Sequence, residues 1–367
     1  MLKDQMIKAI DLNKEYHSIK EEINLAIQRV LDSGWYILGD EVEKFEEEFA
    51  QYIGAGYAVG VNSGTDALLI SLMALDIKSG DEVLTVSHTT TPTVIPISIL
   101  GATPVFIDID PDTYTMDVSQ VEKKISDRTK AIIPVHIYGN PVDMDPLIDI
   151  AKRHGIYIVE DACQAHGAEY KGRKVGTFGD MAAFSFYPTK NLGGYGDGGI
   201  VLTSNTDLYE KMLKLRQYGW KARYESQFIG INSRLDEMQA AILRTKLKYL
   251  DERNEKRIQL AHLYRELLQD SDAILPMVKK HSKHVFHLYV IRHKNRDKLK
   301  EYLLENGVQT KIHYPVPVHQ QKAFLDLRIN VSLPITEQIN REILSLPIYP
   351  ELSIKEVESI VRLLIKF

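Results

Sequence analysis

Lys190 is the residue whose setting could do chemistry. It lies in Phe184-Ser185-Phe186-Tyr187-Pro188-Thr189-Lys190-Asn191-Leu192-Gly193-Gly194-Tyr195-Gly196-Asp197-Gly198-Gly199, between two apolar runs, 181–186 and 199–203, that read as strands. That connection holds the amine near strand ends and off any solvated helix face. The glycines let backbone approach a bound group closely, and Pro188 stiffens the entry, so the lysine sits on a shaped loop. A plain solvated lysine is the bland alternative. A lysine within reach of a carbonyl can instead form a Schiff base, the linkage that holds pyridoxal 5'-phosphate (PLP) in enzymes that use it. Such a site also needs an acid facing the pyridine nitrogen, donors for the phosphate, and something flat over the ring.

Candidates for all three lie upstream. Asn62-Ser63-Gly64-Thr65-Asp66 marks a passage from strand to helix, either as an ordinary N-cap or as an anion site using the amides of Thr65 and Asp66. His88, in Ser87-His88-Thr89-Thr90, is either a satisfied turn histidine or a ring that covers a flat cofactor face. Glu160-Asp161-Ala162-Cys163-Gln164-Ala165-His166-Gly167 follows a buried apolar run, which puts Asp161 where a carboxylate could keep a pyridinium protonated. Gln164 could reach the phenolic oxygen of that ring, and Ser185 is a candidate phosphate donor. His166 is open between packing and a supporting role.

The elements that must position these residues alternate. Strands are expected at 57–62, 82–87, 104–108, 130–136 and 157–160, with helices at 66–75, 93–100, 118–124 and 145–154. Runs such as Ala131-Ile132-Ile133-Pro134-Val135 suit strands buried on both faces, hence a doubly wound α/β domain with a mainly parallel sheet. Ligands bind such sheets beyond the carboxyl ends of the strands, where the polar clusters fall. Before this, residues 1–30 hold an amphipathic helix, and Ser33-Gly34-Trp35-Tyr36-Ile37-Leu38-Gly39 either lines a site or interface or fills a core. After it, Gly230 to Ala241 opens a long helix running to about residue 269, its charges read as a solvated face. The remainder is a smaller α+β unit: strands at 285–292 and 309–313, helices at 296–306, 337–344 and 354–365. The expected division is 1–250 and 251–367.

With 367 residues, 44% hydrophobic and 26% charged, the chain has the composition of a globular protein with a large core. A net charge of −5 argues against a general nucleic-acid binder. The single cysteine, Cys163, excludes an intrachain disulfide, and no 18-residue apolar run signals a membrane span, so the cytoplasm is the expected compartment. His313-Tyr314-Pro315-Val316-Pro317-Val318-His319 has no convincing metal-ligand spacing, and no metal is expected.

Together the motifs resemble the DegT/StrS-type sugar aminotransferases, PLP enzymes of the aspartate-aminotransferase fold (fold type I) that aminate nucleotide-linked keto sugars. The likeness spans nearly the whole chain. It rests on Gly64-Thr65-Asp66-Ala67-Leu68, the run from Glu160 to Gly167, Phe184-Ser185-Phe186 with Thr189-Lys190, Asn232-Ser233-Arg234, Asp236-Glu237-Met238-Gln239-Ala240-Ala241, and His313-Tyr314-Pro315. The resemblance implies that Lys190 links to PLP, Asp161 pairs with the pyridine nitrogen, Gln164 contacts the ring oxygen, and Ser185 with the Thr65 and Asp66 amides holds the phosphate. It further implies that Asn232 reaches the cofactor phosphate of a neighbouring subunit, hence a homodimer with shared sites. Tyr36, Tyr224, His313 and His319 correspond to positions that approach the sugar or its nucleotide.

Many relatives carry an aromatic residue where this chain has His88; a histidine there is more similar to enzymes acting on C3 of dTDP-3-oxo-6-deoxyhexoses. Lys190 also sets the chain apart from the family's deoxygenating dehydratases, which have histidine in its place. The implied reaction moves an amino group from L-glutamate, released as 2-oxoglutarate, to the keto sugar, in deoxysugar biosynthesis for lipopolysaccharide or S-layer glycans. A 4-oxo sugar nucleotide or a cyclitol ketone as acceptor, and a regulatory protein that binds without turnover, are the alternatives.

Overall fold

The computed structural model describes residues 6–325 and 331–367; residues 1–5 of the expected N-terminal helix region lie outside them. Short β-rich segments buried on both faces make the middle of the molecule. Glu82–Val86 buries every residue, as does Gly199–Thr203. Seven such segments pair into one sheet: β1 (Tyr57–Val61), β2 (Glu82–Val86), β3 (Thr103–Ile107), β4 (Thr129–Ile132), β5 (Tyr157–Asp161), β6 (Met181–Ser185) and β7 (Gly199–Thr203). Their order is β1-β7-β6-β5-β4-β2-β3. The pairs from β3 to β6 are parallel, and β7 runs antiparallel to both its neighbours.

Register places the chemistry. Asp161, the last residue of β5, lies opposite Ala183 of β6, and Ser185 ends β6 opposite Gly199. Ser63 passes directly over Gly199: a Cβ there would stand 2.3 Å from the carbonyl carbon of Ser63, so only glycine lets the two segments cross. The carboxyl ends of β1, β5 and β6 therefore converge with the start of the helix Gly64–Ala74.

Several expectations are corrected. Residues 118–124 form two 3₁₀ turns, Val118–Gln120 and Glu122–Lys124, instead of an α-helix. The strand expected at 130–136 ends at Ile132. The helix expected to run unbroken to about 269 is two, Glu237–Leu247 and Leu250–Leu268. Its charges are the expected solvated face only in part: Asp251, Glu252, Glu255 and Lys256 are exposed, while three basic residues lie along a second, partly buried face. Arg244 pairs with Glu41 and Glu48, and Lys246, 2% exposed, pairs with Glu15 at 2.9 Å. Arg257 donates to the Ile348 carbonyl at 2.8 Å. Partners distant in sequence desolvate that face. In the smaller unit, Tyr289–Arg292 pairs antiparallel with Ile343–Leu346, a strand where the sequence suggested the end of a helix. Residues 309–313 contribute only a bridge, Lys311 to Ser345. The helix Thr206–Leu215 was not expected.

The Trp35 segment lies at the surface, with Trp35 63% and Tyr36 52% exposed, so it fills no core of this chain. It is tied down from behind by Glu237, which accepts the amides of Gly39 at 2.7 Å, Glu41 at 2.9 Å and Val42 at 3.0 Å. A buried carboxylate thus satisfies the orphan donors that open the helix Asp40–Ile53. Glu237→Ala is expected to lower stability by about 2–3 kcal/mol, because three amides lose a charged acceptor. Thermal denaturation of the variant checks this, and an unchanged midpoint would show that water replaces the cap.

Candidate active site

A cavity of about 420 Å³ opens at the carboxyl ends of β5 and β6, and Lys190 stands in its wall. The lysine's amide donates to the Tyr187 carbonyl at 2.9 Å, closing a turn that aims the side chain inward. Burial pushes its ammonium below the usual lysine range, against the opposing pull of Cys163 and Asp161. The next residue fixes the loop. Asn191 donates to Asn254 Oδ1 at 2.8 Å and to the Val285 carbonyl at 3.0 Å, while its own oxygen lies 3.3 Å from His287 Nδ1. With both amide protons used, the Asn191 oxygen must accept, so His287 carries its proton on Nδ1 and turns a bare Nε2 elsewhere. His287 also lines the cavity, held neutral by burial and by the nearby charge of Lys190.

Asp161 reaches the same cavity with its carboxylate already oriented. Oδ2 accepts the Thr93 hydroxyl at 2.7 Å and Oδ1 the Cys163 amide at 3.2 Å. Thr93 spends its proton on Asp161, so the Thr89 hydroxyl, 2.7 Å away, donates to Thr93 in turn. Gln164 is oriented by the Tyr138 amide, accepted at 2.8 Å, and its NH₂ reaches the Tyr314 hydroxyl at 3.3 Å. The Cys163 thiol is pushed up by burial and by Asp161, which makes it a neutral packing group.

On the side of Gly64–Ala74, the Ser63 hydroxyl accepts the Asp66 amide at 3.1 Å and the Ser63 carbonyl accepts Ala67. The Asp66 amide is therefore committed to the N-cap, and the amides of Gly64 and Thr65 are those left at the helix start. The expected pair was Thr65 and Asp66. The Asp66 side chain is likewise engaged, accepting the Ser233 hydroxyl at 2.6 Å. Gly64 has no room for a side chain: a Cβ would meet Ser185 Cβ at 2.7 Å and Cys163 Sγ at 2.8 Å. Gly64, Thr65 and Ser185 all face the cavity.

The expected residues thus divide. Gly64, Thr65, Asp161, Gln164, Ser185, Lys190 and His313 share one cavity wall; Asp66, His88, Asn232, Tyr36, Tyr224 and His319 do not. His88 is 1% exposed, its Nδ1 2.7 Å from Asn340 Oδ1 and its Nε2 2.8 Å from the Tyr138 hydroxyl, so both ring nitrogens are spent in the interior. Burial lowers its pKa to about 4. Thr89, Thr90 and Pro92, which follow His88, line the wall. His319 is buried as well, 2.7 Å from the Ser87 hydroxyl, and braces the strand end where a sugar contact was expected. Tyr224, 77% exposed, and Asn232 lie on the open surface. Sequence reasoning missed Thr93, His287 and Lys311 in or behind the wall. The one available signal was the run of threonines after Ser87, polar residues opening an otherwise apolar helix.

A nucleophilic amine, a pre-oriented carboxylate, and two helix-start amides beside a serine hydroxyl meet the three demands of PLP: a carbonyl partner, a base for the ring nitrogen and a phosphate cradle. The tight crossings at Gly64 and Gly199 leave no room for a Cβ at either position. The residues fit the cofactor.

Comparison with known proteins agrees. Residues 17–365 match the DegT/DnrJ/EryC1/StrS aminotransferase family. The chain is 47% identical over 356 residues to dTDP-3-amino-3,6-dideoxy-alpha-D-galactopyranose transaminase of Aneurinibacillus thermoaerophilus, covering 97% of this chain and 98% of that protein. Among solved structures, S. venezuelae DesV in complex with a ketimine intermediate superimposes with a TM-score of 0.96 at 45% identity, over 99% of this chain and 98% of that one. NtdA from Bacillus subtilis with bound cofactor PMP gives a TM-score of 0.89 at 32% identity, over 95% of this chain and 81% of that one.

Proposed function

The chain belongs to the DegT/DnrJ/EryC1/StrS aminotransferase family, and from that premise we propose that it transfers an amino group from L-glutamate to C3 of a dTDP-3-oxo-6-deoxyhexose. It is an aminotransferase with the fold of the PLP enzymes, and its cofactor is pyridoxal 5'-phosphate. One observation carries the reading: Lys190, Asp161 and the Gly64-Thr65 helix start line a single cavity at the carboxyl end of a mainly parallel sheet. The acceptor follows from the relative that makes a dTDP-3-amino sugar at 47% identity.

When bound, PLP supplies an electron sink for the pair left by a breaking C–H bond and carries the amine between the two substrates. The protein supplies the rest. The amides of Gly64 and Thr65 with the Ser185 hydroxyl would hold the phosphate dianion, favoured by the positive end of the helix dipole. Asp161, fixed by Thr93 and the Cys163 amide, would hold a proton on the pyridine nitrogen. Gln164 is placed to reach the ring oxygen. Lys190 Nζ, its basicity reduced by burial, takes the proton from the donor's α-carbon as general base and returns one as general acid.

Asn232, Tyr36 and Tyr224 find no role in this chain's own cavity, and Trp35, Tyr224 and Ile229 expose 63%, 77% and 89% of their surface. We read this surface as the homodimer interface that presents these residues to a second subunit's site, in a chain divided at about residue 250. The helix Leu250–Leu268 supports that boundary, since Leu250 packs in the core beside β6 and β7 while Leu260 to Leu268 pack with the smaller unit. Among the described residues no helix is long and apolar enough to cross a membrane. We assign the enzyme to the cytoplasm.

The test is an amine-transfer assay from glutamate with a panel of acceptors. Turnover is expected with the 3-oxo sugar nucleotide and at least about tenfold less with 4-oxo sugar nucleotides or inososes. Preference for either of those moves the site of amination, and inertness to all of them returns the regulatory alternative.

A further inference from the structure

The cavity wall contributed by the smaller unit has a feature that PLP does not use. Residues Lys311 and His313 alternate along an extended segment, so their side chains point the same way, and both line the cavity. The segment is pinned by two backbone bonds to Ser345, at 3.3 and 2.8 Å, and by the Ser345 hydroxyl, 2.8 Å from His313 Nδ1. Ile10, Leu346 and Ile348 line the cavity beside it, the last two 2% and 3% exposed. Among the described residues, Lys190 and Lys311 are the cationic side chains of the whole wall, and no carboxylate there forms an ion pair with Lys311. Lys190 is committed to the cofactor.

A slot along this wall, lined by Ile10, Leu346 and Ile348 and carrying the exposed Lys311, matches a short aliphatic chain ending in a carboxylate. A diphosphate fits it less well, having no methylenes to lay against Ile10, Leu346 and Ile348. We propose that Lys311 binds the side-chain carboxylate of the amino donor, making this slot the determinant of a dicarboxylic amino acid such as glutamate. The proposal rests on the aminotransferase reading and names the donor side of the same site. His313 supports it: burial, Lys311 and Lys190 bring its pKa to about 4, so it stays neutral and leaves the slot's charge to Lys311.

The decisive variant is Lys311→Gln, whose fold is safe because the exposed native ammonium has no ion-pair partner among the described residues. In single-turnover reactions of the holoenzyme with each amino donor alone, its preference for L-glutamate over L-alanine is expected to collapse by about 10- to 100-fold, the loss of one charge-assisted hydrogen bond. Lys311→Arg should retain most of it. Glutarate, a dicarboxylate with no amine to transfer, should bind the wild type in calorimetry and bind Lys311→Gln correspondingly more weakly. An unchanged glutamate-to-alanine ratio overturns the proposal. So does a variant whose only loss is affinity for the amino-sugar nucleotide, which would give Lys311 to the diphosphate. A wild type that exchanges no amine with any amino acid would defeat the aminotransferase reading; the glutarate titration would then still decide whether Lys311 binds a dicarboxylate.

Discussion

Lys190→Ala is expected to leave a folded protein whose amine transfer falls by about 10³- to 10⁴-fold and which no longer becomes covalently labelled with its cofactor on borohydride reduction. The size follows from two duties lost together. The amine is the attachment point, and it is also the group that takes and returns the substrate proton. Among the described residues of the wall no other side chain combines both duties: the imidazole of His287 forms no such linkage, and Lys311 belongs to the smaller unit. Folding should be preserved, because burying an ammonium costs stability and the loop is anchored through Asn191. The check is steady-state kinetics beside a borohydride-trapping experiment followed by mass analysis. Turnover within tenfold of wild type would remove Lys190 from the mechanism.

Asp161→Asn carries the second large effect, a fall in kcat/KM of about 10²- to 10³-fold, comparable to removing one pre-oriented electrostatic stabiliser. Asparagine keeps the volume and can still accept the Cys163 amide on its one oxygen, while its NH₂ would donate to a Thr93 hydroxyl turned to accept, so the change removes the charge at nearly constant shape. Without the carboxylate nothing holds a proton on the pyridine nitrogen, and the ring takes up electrons poorly. The variant should keep a wild-type unfolding midpoint while losing rate. A variant within threefold of wild-type kcat/KM would show that Asp161 acts only as a helix cap, the bland reading of an acid at the end of a buried strand.

What could be read from the chain and what could not follow a physical line. That Lys190, Asp161 and Gly64-Thr65 would share one cavity was legible because their placement depends on local geometry: a glycine loop, a strand end, a helix start. His88 was not. The direction of its ring is decided by Asn340 and Tyr138, which lie 252 and 50 residues away. The same holds for Arg244, Lys246 and Arg257, whose spacing gave a solvated face and whose partners come from the first helices and from Ile348. Residues 343–346 became a strand although their short apolar run suited either element, and only pairing with Tyr289–Arg292 decides it. The bond from the Asp66 amide to Ser63 was not legible either, because a capping serine and an anion compete for the same few donors and the sequence does not rank them.

Asn191, gripped at once by Asn254 and by the backbone of Val285, has a consequence for anyone redesigning this chemistry. The glycine-rich loop is not a portable cassette. Grafted into another scaffold without the two foreign handholds, it would carry the reactive amine across but leave its aim behind.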